Sequence, residues 1–353
     1  MSAVLGLPGL ALHEIPEAFV PEEPRLGGAA VPVPAARLAA LSSTGTVLLG
    51  RRPDDIHLRE FRASVIAETR SLFQVPHDHT LTVVAARPTR LCHLTAIQPW
   101  AAGLEVTGTG PRATAWRSAA ADAREATVAP GRRTPLAVVA DEDPGWRERL
   151  EAAPAGGWRV AELTGTAEVL TGRGVRDADV AFLCPSGLLG VGVGLTVAVL
   201  SPRAASASPG LTRALDVAGA AVGTGDLVMF AHAVRAVAES DAARAAAGRE
   251  ARRALVADWA AGRDWVTAPT AGAGDALTVR LVTALPPGVV TELGRFLETA
   301  HLAYGLTDPG DPHALRVGLY DSLRTADIER LLGLLDFLVA RLTQATDPDQ
   351  EGR

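Results

Sequence analysis

Residues 178–203, ADVAFLCPSGLLGVGVGLTVAVLSPR, hold two unbroken apolar runs of sheet length separated by a Pro- and Gly-rich break. The first run, Ala178 to Cys184, and the second, from about Val193 to Leu200, predict two buried strands joined by a tight Pro-Ser-Gly turn and a Gly-rich loop. Further strands are predicted at Thr80–Ala86, Leu104–Thr107, Pro135–Ala140 and Trp158–Leu163. Helical segments alternate with them, and that βα alternation implies a mostly parallel sheet.

The best early helix runs from Leu58 to Phe73, with Phe61, Val65, Thr69, Leu72 and Phe73 on one face, and Pro76 ends it. A shorter helix is expected over Pro34–Leu41. From about Thr212 to Ala261 the chain is helix-rich and dense in Ala and Arg. Strands follow at Leu277–Thr283 and Ala314–Leu319. In the last helix Ile328, Leu331, Leu332, Leu335, Val339 and Leu342 recur at 3.6-residue spacing, with Thr325 as the expected N-cap and Asp327 in the first turn.

At 353 residues, 48% hydrophobic and 21% charged, the chain can bury one large core or two ordinary ones. A net charge of −6 and no basic tail give no reason to expect a nucleic-acid partner. No apolar run reaches the ~18–20 residues that span a bilayer, so no membrane partner and a cytoplasmic location are expected. Cys92 and Cys184 lie in apolar segments and read as core residues. Residues 1–34 carry six Pro and little periodicity, which predicts an extended N-terminal arm.

The 178–203 stretch resembles the cofactor-lysine hairpin of the class V pyridoxal-phosphate aminotransferases, and of the phosphoserine aminotransferases in particular. Pro185 and Ser186 match the first two turn positions, and Gly194-Leu195-Thr196 matches the strand that rises after it. The C-terminal segment LRVGLYDSLRTADIERLLGLLDFLVARL is similar to the family's Arg-bearing strand and final helix. The resemblance covers roughly residues 30–345. It implies an α/β, fold-type I aminotransferase-like chain: a large domain with a mostly parallel, seven-stranded-type sheet, and a small α+β C-terminal domain. The expected boundaries are an arm at 1–30, the large domain at 31–215, an inter-domain helical segment at 216–261 and the small domain at 262–353. A homodimer, or a heterodimer with an aminotransferase homologue, is implied by the same resemblance.

Gly187 falls where the family's Schiff-base lysine sits. No other lysine can stand in, because all 34 basic residues are Arg. A guanidinium stays protonated and supplies no amine nucleophile for imine chemistry. Genome-wide base composition explains surface Arg-for-Lys exchange, but not glycine at the catalytic position.

The remaining cofactor-site positions are carried over from the resemblance one by one. The family's Gly-rich phosphate cup aligns with Ala86-Arg87-Pro88-Thr89-Arg90. Thr89 matches, the glycines do not, and Arg87 and Arg90 either hold a different anion, fill the vacated cup or pair with a carboxylate. Glu162, followed by Thr164, stands where an Asp pairs with the pyridine nitrogen; a Glu closing a strand is also an ordinary structural residue. Glu142 alone survives from a His-Asn-Glu-Thr turn, within an acidic run that could attract a cation or an amine but reads more readily as a solvated turn before Pro144-Gly145. Arg51 and Arg52 align with a substrate-anion segment, and Arg316 with the arginine that grips the substrate α-carboxylate. Thr224 matches a threonine that reaches the neighbouring subunit's cofactor phosphate. Ser186 and Gly187 complete a vestigial cofactor set with Glu142, Glu162, Thr164 and Thr224. His77-Asp78-His79 lacks a third ligand nearby, so no metal is expected.

Two functions follow. In one, the chain is a small-anion-binding pseudoenzyme, or a partner subunit that completes a competent homologue's site, with no cofactor of its own. In the other, it is an enzyme that works on a carboxylate or phosphate substrate in the old cleft. That enzyme uses either no pyridoxal phosphate or non-covalently held pyridoxamine or pyridoxal phosphate. A third possibility, an ordinary transaminase, is opposed by the complete lack of lysine.

Overall fold

The structure is a computed structural model that describes residues 12–20, 39, 41–43, 47–52, 54–124, 134–140, 143, 145–154, 156–190, 194–240, 242–267, 278–308, 311–320 and 323–345. The chain divides into two compact units, one of residues 32–242 and 274–277, the other of residues 1–31, 243–273 and 278–353.

The first unit opens with α1, Ile56–Leu72, whose N-cap Asp55 accepts a hydrogen bond from the His57 amide. Its core face carries Leu58, Val65 and Thr69, all buried. The hydroxyl of Thr69 donates to the Val65 carbonyl at 2.7 Å, so its burial leaves no orphan polar atom. There follow β1 (Thr80–Val84), α2 (Pro88–Ala96), β2 (Glu105–Val106), α3 (Pro111–Arg124), β3 (Leu136–Val139), α4 (Trp146–Ala152), β4 (Arg159–Glu162), β5 (Val180–Leu183), α5 (Ser186–Leu189) and β6 (Thr196–Leu200). The six strands found among the described residues lie in the order β1-β6-β5-β4-β3-β2. β2 to β5 run parallel, and β6 runs antiparallel to β5 and to β1.

Every residue of β5 and β6 is buried, which is why both read as continuous apolar runs rather than alternating ones. Beneath this sheet, α2 and α3 pack Leu91, Cys92, Trp116 and Ala120 against Val139, Val160 and Phe182.

The turn after β5 differs from the expected Pro-Ser-Gly turn. Residues Ser186–Leu189 form one helical turn, closed by Gly190 in the left-handed region at φ 59°, a conformation that costs glycine little. β6 begins at Thr196, and residues 191–193 lie outside the described set.

The helix-rich stretch resolves into α6 (Pro202–Ala207), α7 (Pro209–Ala220), α8 (Thr224–Glu239) and α9 (Ala242–Ala261). α6 is absent from the sequence expectation, although Ser201 caps it through the Ala204 amide and Pro202 sits at its first position. The break between α7 and α8 bends the chain by 98°. Arg62 of α1 secures this corner by donating to the carbonyls of Gly219 at 2.8 Å and Val222 at 2.7 Å. The boundary between the compact units falls at residues 242/243, inside the 216–261 stretch, so α7 and α8 belong to the first unit and α9 to the second. Among the described residues no single helix is long and apolar enough to cross a membrane.

The second unit carries a four-stranded antiparallel sheet in the order β7-β8-β10-β9, from Val266–Thr267, Thr278–Thr283, Asp311–Gly318 and Thr307–Asp308. Beside α9 the unit also carries α10 (Pro287–Thr299), which no sequence expectation covered, and α11 (Thr325–Ala345). Ile328, Leu331, Leu332, Leu335 and Val339 of α11 are buried, as the 3.6-residue period requires. Thr325 is the first helical residue rather than the cap outside it. Gly333 lets the ring of Phe19 lie directly on α11; a Cβ there would meet Phe19 Cδ1 at 2.8 Å. The helix expected over Pro34–Leu41 falls largely outside the described residues.

Candidate functional site

In the first unit the C-terminal ends of β1, β3, β4 and β5 and the start of β6 share one edge of the sheet, the edge where open α/β sheets place their ligands. The chain leaves β1 through Ala86, whose carbonyl accepts from the Thr196 hydroxyl at 2.7 Å. It then enters α2 with Arg87 at the N-cap and Pro88 in the first turn. Arg87, Thr89 and Arg90 are exposed, and the two guanidinium groups have no ion-pair partner among the described residues.

At the end of β4, Glu162 is 1% exposed. Its Oε2 accepts from the indole Nε1 of Trp116 at 2.9 Å, and its Oε1 accepts from the Thr164 hydroxyl at 2.9 Å. Thr164 Oγ1 in turn accepts from the Cys184 amide at 2.9 Å, so this polar chain ties β4 to β5. The Cys184 sulfur lies 3.4 Å from the Ser186 hydroxyl, and Ser186 begins the turn that contains Gly187. Burial, followed by the nearby Glu162 carboxylate, pushes the Cys92 thiol far above its ordinary value. That thiol is a core group with no nucleophilic character.

The structure therefore brings Arg87, Thr89, Arg90, Glu162, Thr164, Ser186 and Gly187 to one sheet edge. The other positions lie elsewhere. Thr224 is the first residue of α8, half-buried. Arg51 donates to Asp55 Oδ2 at 3.0 Å, an ion pair one helical turn apart that occupies it internally. Arg52 is 86% exposed and only loosely faces Asp54, at 3.5 Å. Arg316 lies in β10 of the second unit, with its Nε 3.1 Å from Asp308 Oδ2; Arg280 Nε reaches the same oxygen, also at 3.1 Å. Asp308 is buried and is held between the two guanidinium groups. Glu142 lies outside the described residues.

Two partners escape sequence reasoning: Trp116, which answers Glu162, and Asp308, which answers Arg316. The only hint of the first was a Trp set in an Ala- and Arg-rich helix. The only hint of the second was an acid eight residues before Arg316.

By sequence, no family model matches the chain and no curated protein matches it. Solved structures do. A phosphoserine aminotransferase from Cytophaga hutchinsonii superposes with a TM-score of 0.69 at 11% identity, over 90% of this chain and 98% of that one. This is the fold-type I aminotransferase fold. An alanine–glyoxylate aminotransferase from Nostoc sp. matches with a TM-score of 0.70 at 14% identity, over 94% of this chain and 97% of its own. A PLP-bound phosphoserine aminotransferase from Trichomonas vaginalis matches with a TM-score of 0.63 at 13% identity, over 88% and 98%. The class V resemblance read from the hairpin and the C-terminal segment thus agrees with the fold.

The residues present do not fit pyridoxal phosphate, the group held by the Trichomonas protein. No side chain offers a primary amine, since the chain has no lysine. Ala86 and Arg87 stand at the mouth of α2 where close approach to a phosphate calls for glycine. Both oxygens of the carboxylate aligned with the ring nitrogen already accept hydrogen bonds from the chain itself.

Proposed function

We propose that this chain is a non-catalytic relative of the aminotransferases that binds a small anion, either as a homodimer or as the partner subunit of a lysine-bearing homologue. The observation that carries the reading is the chain's complete lack of lysine, together with the resemblance that aligns Gly187 with the anchoring position. Without that amine the chemistry common to the fold has no covalent foothold.

The anion reading narrows to the start of α2. Arg51 and Arg316 are engaged by Asp55 and Asp308, whereas Arg87 and Arg90 stand exposed beside the first turn of a nine-residue helix. Guanidinium groups there suit a phosphate or carboxylate, because their planar forks donate two parallel bonds and the helix dipole favours negative charge. The reading places the chain in the cytoplasm, with no nucleic acid and no membrane as partner.

Isothermal titration with inorganic phosphate and with small carboxylates tests it. Saturable binding is expected in the wild type. Arg87→Ala and Arg90→Ala should each weaken it by roughly tenfold, the typical loss of one charge-assisted contact of about 1.5 kcal/mol. Binding that is absent in the wild type, or unchanged in both variants, would remove the anion site.

A further inference from the structure

We propose that the indole of Trp116 takes the place of a cofactor ring nitrogen at Glu162, so that the chain rejects pyridoxal and pyridoxamine phosphates even as non-covalent ligands. The inference deepens the anion-binding reading and rests on it for the class of ligand: an anion without an aromatic ring.

The geometry is that of a closed circuit. Glu162 ends β4 with its side chain inside the protein, and Trp116, fully buried on α3, donates to Oε2 at 2.9 Å. Thr164 donates to Oε1, and its own oxygen is satisfied by the Cys184 amide. The Trp116 ring stacks on Phe182, which pairs across from Glu162 in the neighbouring strand, with centroids 6.2 Å apart and planes inclined by 27°.

The carboxylate therefore has a donor on each oxygen: Trp116 from the buried core and Thr164 from the half-buried turn after β4. A ring nitrogen seated on Glu162 Oε2 would compete with the Trp116 N–H, and displacing that donor would leave it buried and unpaired. It would also have to expel an indole that packs in the centre of the α2–α3 core. A buried carboxylate held this way, with a donor of the chain on each oxygen, acts as a structural group.

The test compares pyridoxamine phosphate with inorganic phosphate by equilibrium dialysis against the full-length wild type, Trp116→Ala, and the double variant Trp116→Ala with Glu162→Gln. Near-ultraviolet circular dichroism reports whether each variant is folded. The wild type is expected to hold pyridoxamine phosphate no more tightly than phosphate. Trp116→Ala should prefer the ring-bearing compound by at least tenfold, and the double variant should lose that preference. A tenfold preference in the wild type overturns the proposal, as does a folded Trp116→Ala with no preference. Should Trp116→Ala fail to fold, the wild-type comparison decides alone: equal affinities uphold the proposal and a ring preference defeats it. Failure of the wild type to bind phosphate at all counts against the anion reading only, and the gain in Trp116→Ala still tests the plug.

Discussion

Single side chains decide what this fold can do. At the positions that the resemblance aligns with the family's lysine and cup glycine, this chain carries Gly187 and Arg87. Glu162 keeps a carboxylate at an inherited position but gives both oxygens to the protein's own donors. The two cysteines follow the same logic. Cys92 is 1% exposed, and burial with the Glu162 charge behind it holds its thiol protonated, whereas Cys184 is half-buried at the sheet edge. Thiolates, not thiols, react with alkylating reagents. In the native protein iodoacetamide should modify Cys184 alone, and Cys92 should react only after denaturation, as intact and peptide masses will report. Native labelling of Cys92 would contradict the packing described around Glu162.

Between elements, long-range polar contacts fix what the apolar pattern leaves open. α1 is tied to the α7–α8 corner by Arg62 and to α8 by a bidentate pair in which Arg235 donates to both oxygens of Glu68 at 2.8 Å. The Arg235 bonds, opposed by partial burial, hold the Glu68 carboxyl below its ordinary value of 4.5. A carboxyl depressed in the folded state contributes stability that is present above the ordinary value and is lost as the pH falls through the folded one. With the two side chains 31% and 39% exposed, solvent screening limits the contribution to about 0.5–1 kcal/mol. Denaturant unfolding of Glu68→Gln should therefore show a loss of that size at neutral pH and a shallower fall in stability below pH 4.5. An unchanged acid limb would mean that the pair carries no folding free energy.

Which elements were legible follows from the same physics. β5 and β6 were readable because burial on both faces leaves an unbroken apolar run, and α11 because burial on one face leaves a 3.6-residue period. The turn Ser186–Leu189 was not, since four residues are too short to show a period. Nor was the Trp116–Glu162 bond, whose partners are 46 residues apart and meet only after α3 docks on the sheet.

At the scale of the whole chain, the fold-type I aminotransferase fold is shared with solved structures at 11–14% identity, while Arg51, Arg316 and Glu162 are engaged by partners within the chain. The sheet edge gathers Arg87, Thr89, Arg90, Glu162, Thr164 and Ser186. Of the arginines singled out by resemblance, Arg51 was lost to a carboxylate four residues on, a helical spacing visible in sequence, and Arg316 to Asp308, an acid eight residues earlier that only the β9–β10 pairing brings near. The helix-rich stretch 216–261 is divided between the two compact units, a separation that composition, uniform across it, does not mark. The central proposal is that no amino-group transfer occurs on this polypeptide. It is tested most directly by a single-turnover assay in which stoichiometric protein, pyridoxamine phosphate and a 2-oxo acid such as glyoxylate are mixed and the conversion to pyridoxal phosphate is followed by absorbance. The account predicts a rate equal to that of the protein-free mixture, and a saturable acceleration by the wild-type chain would contradict it.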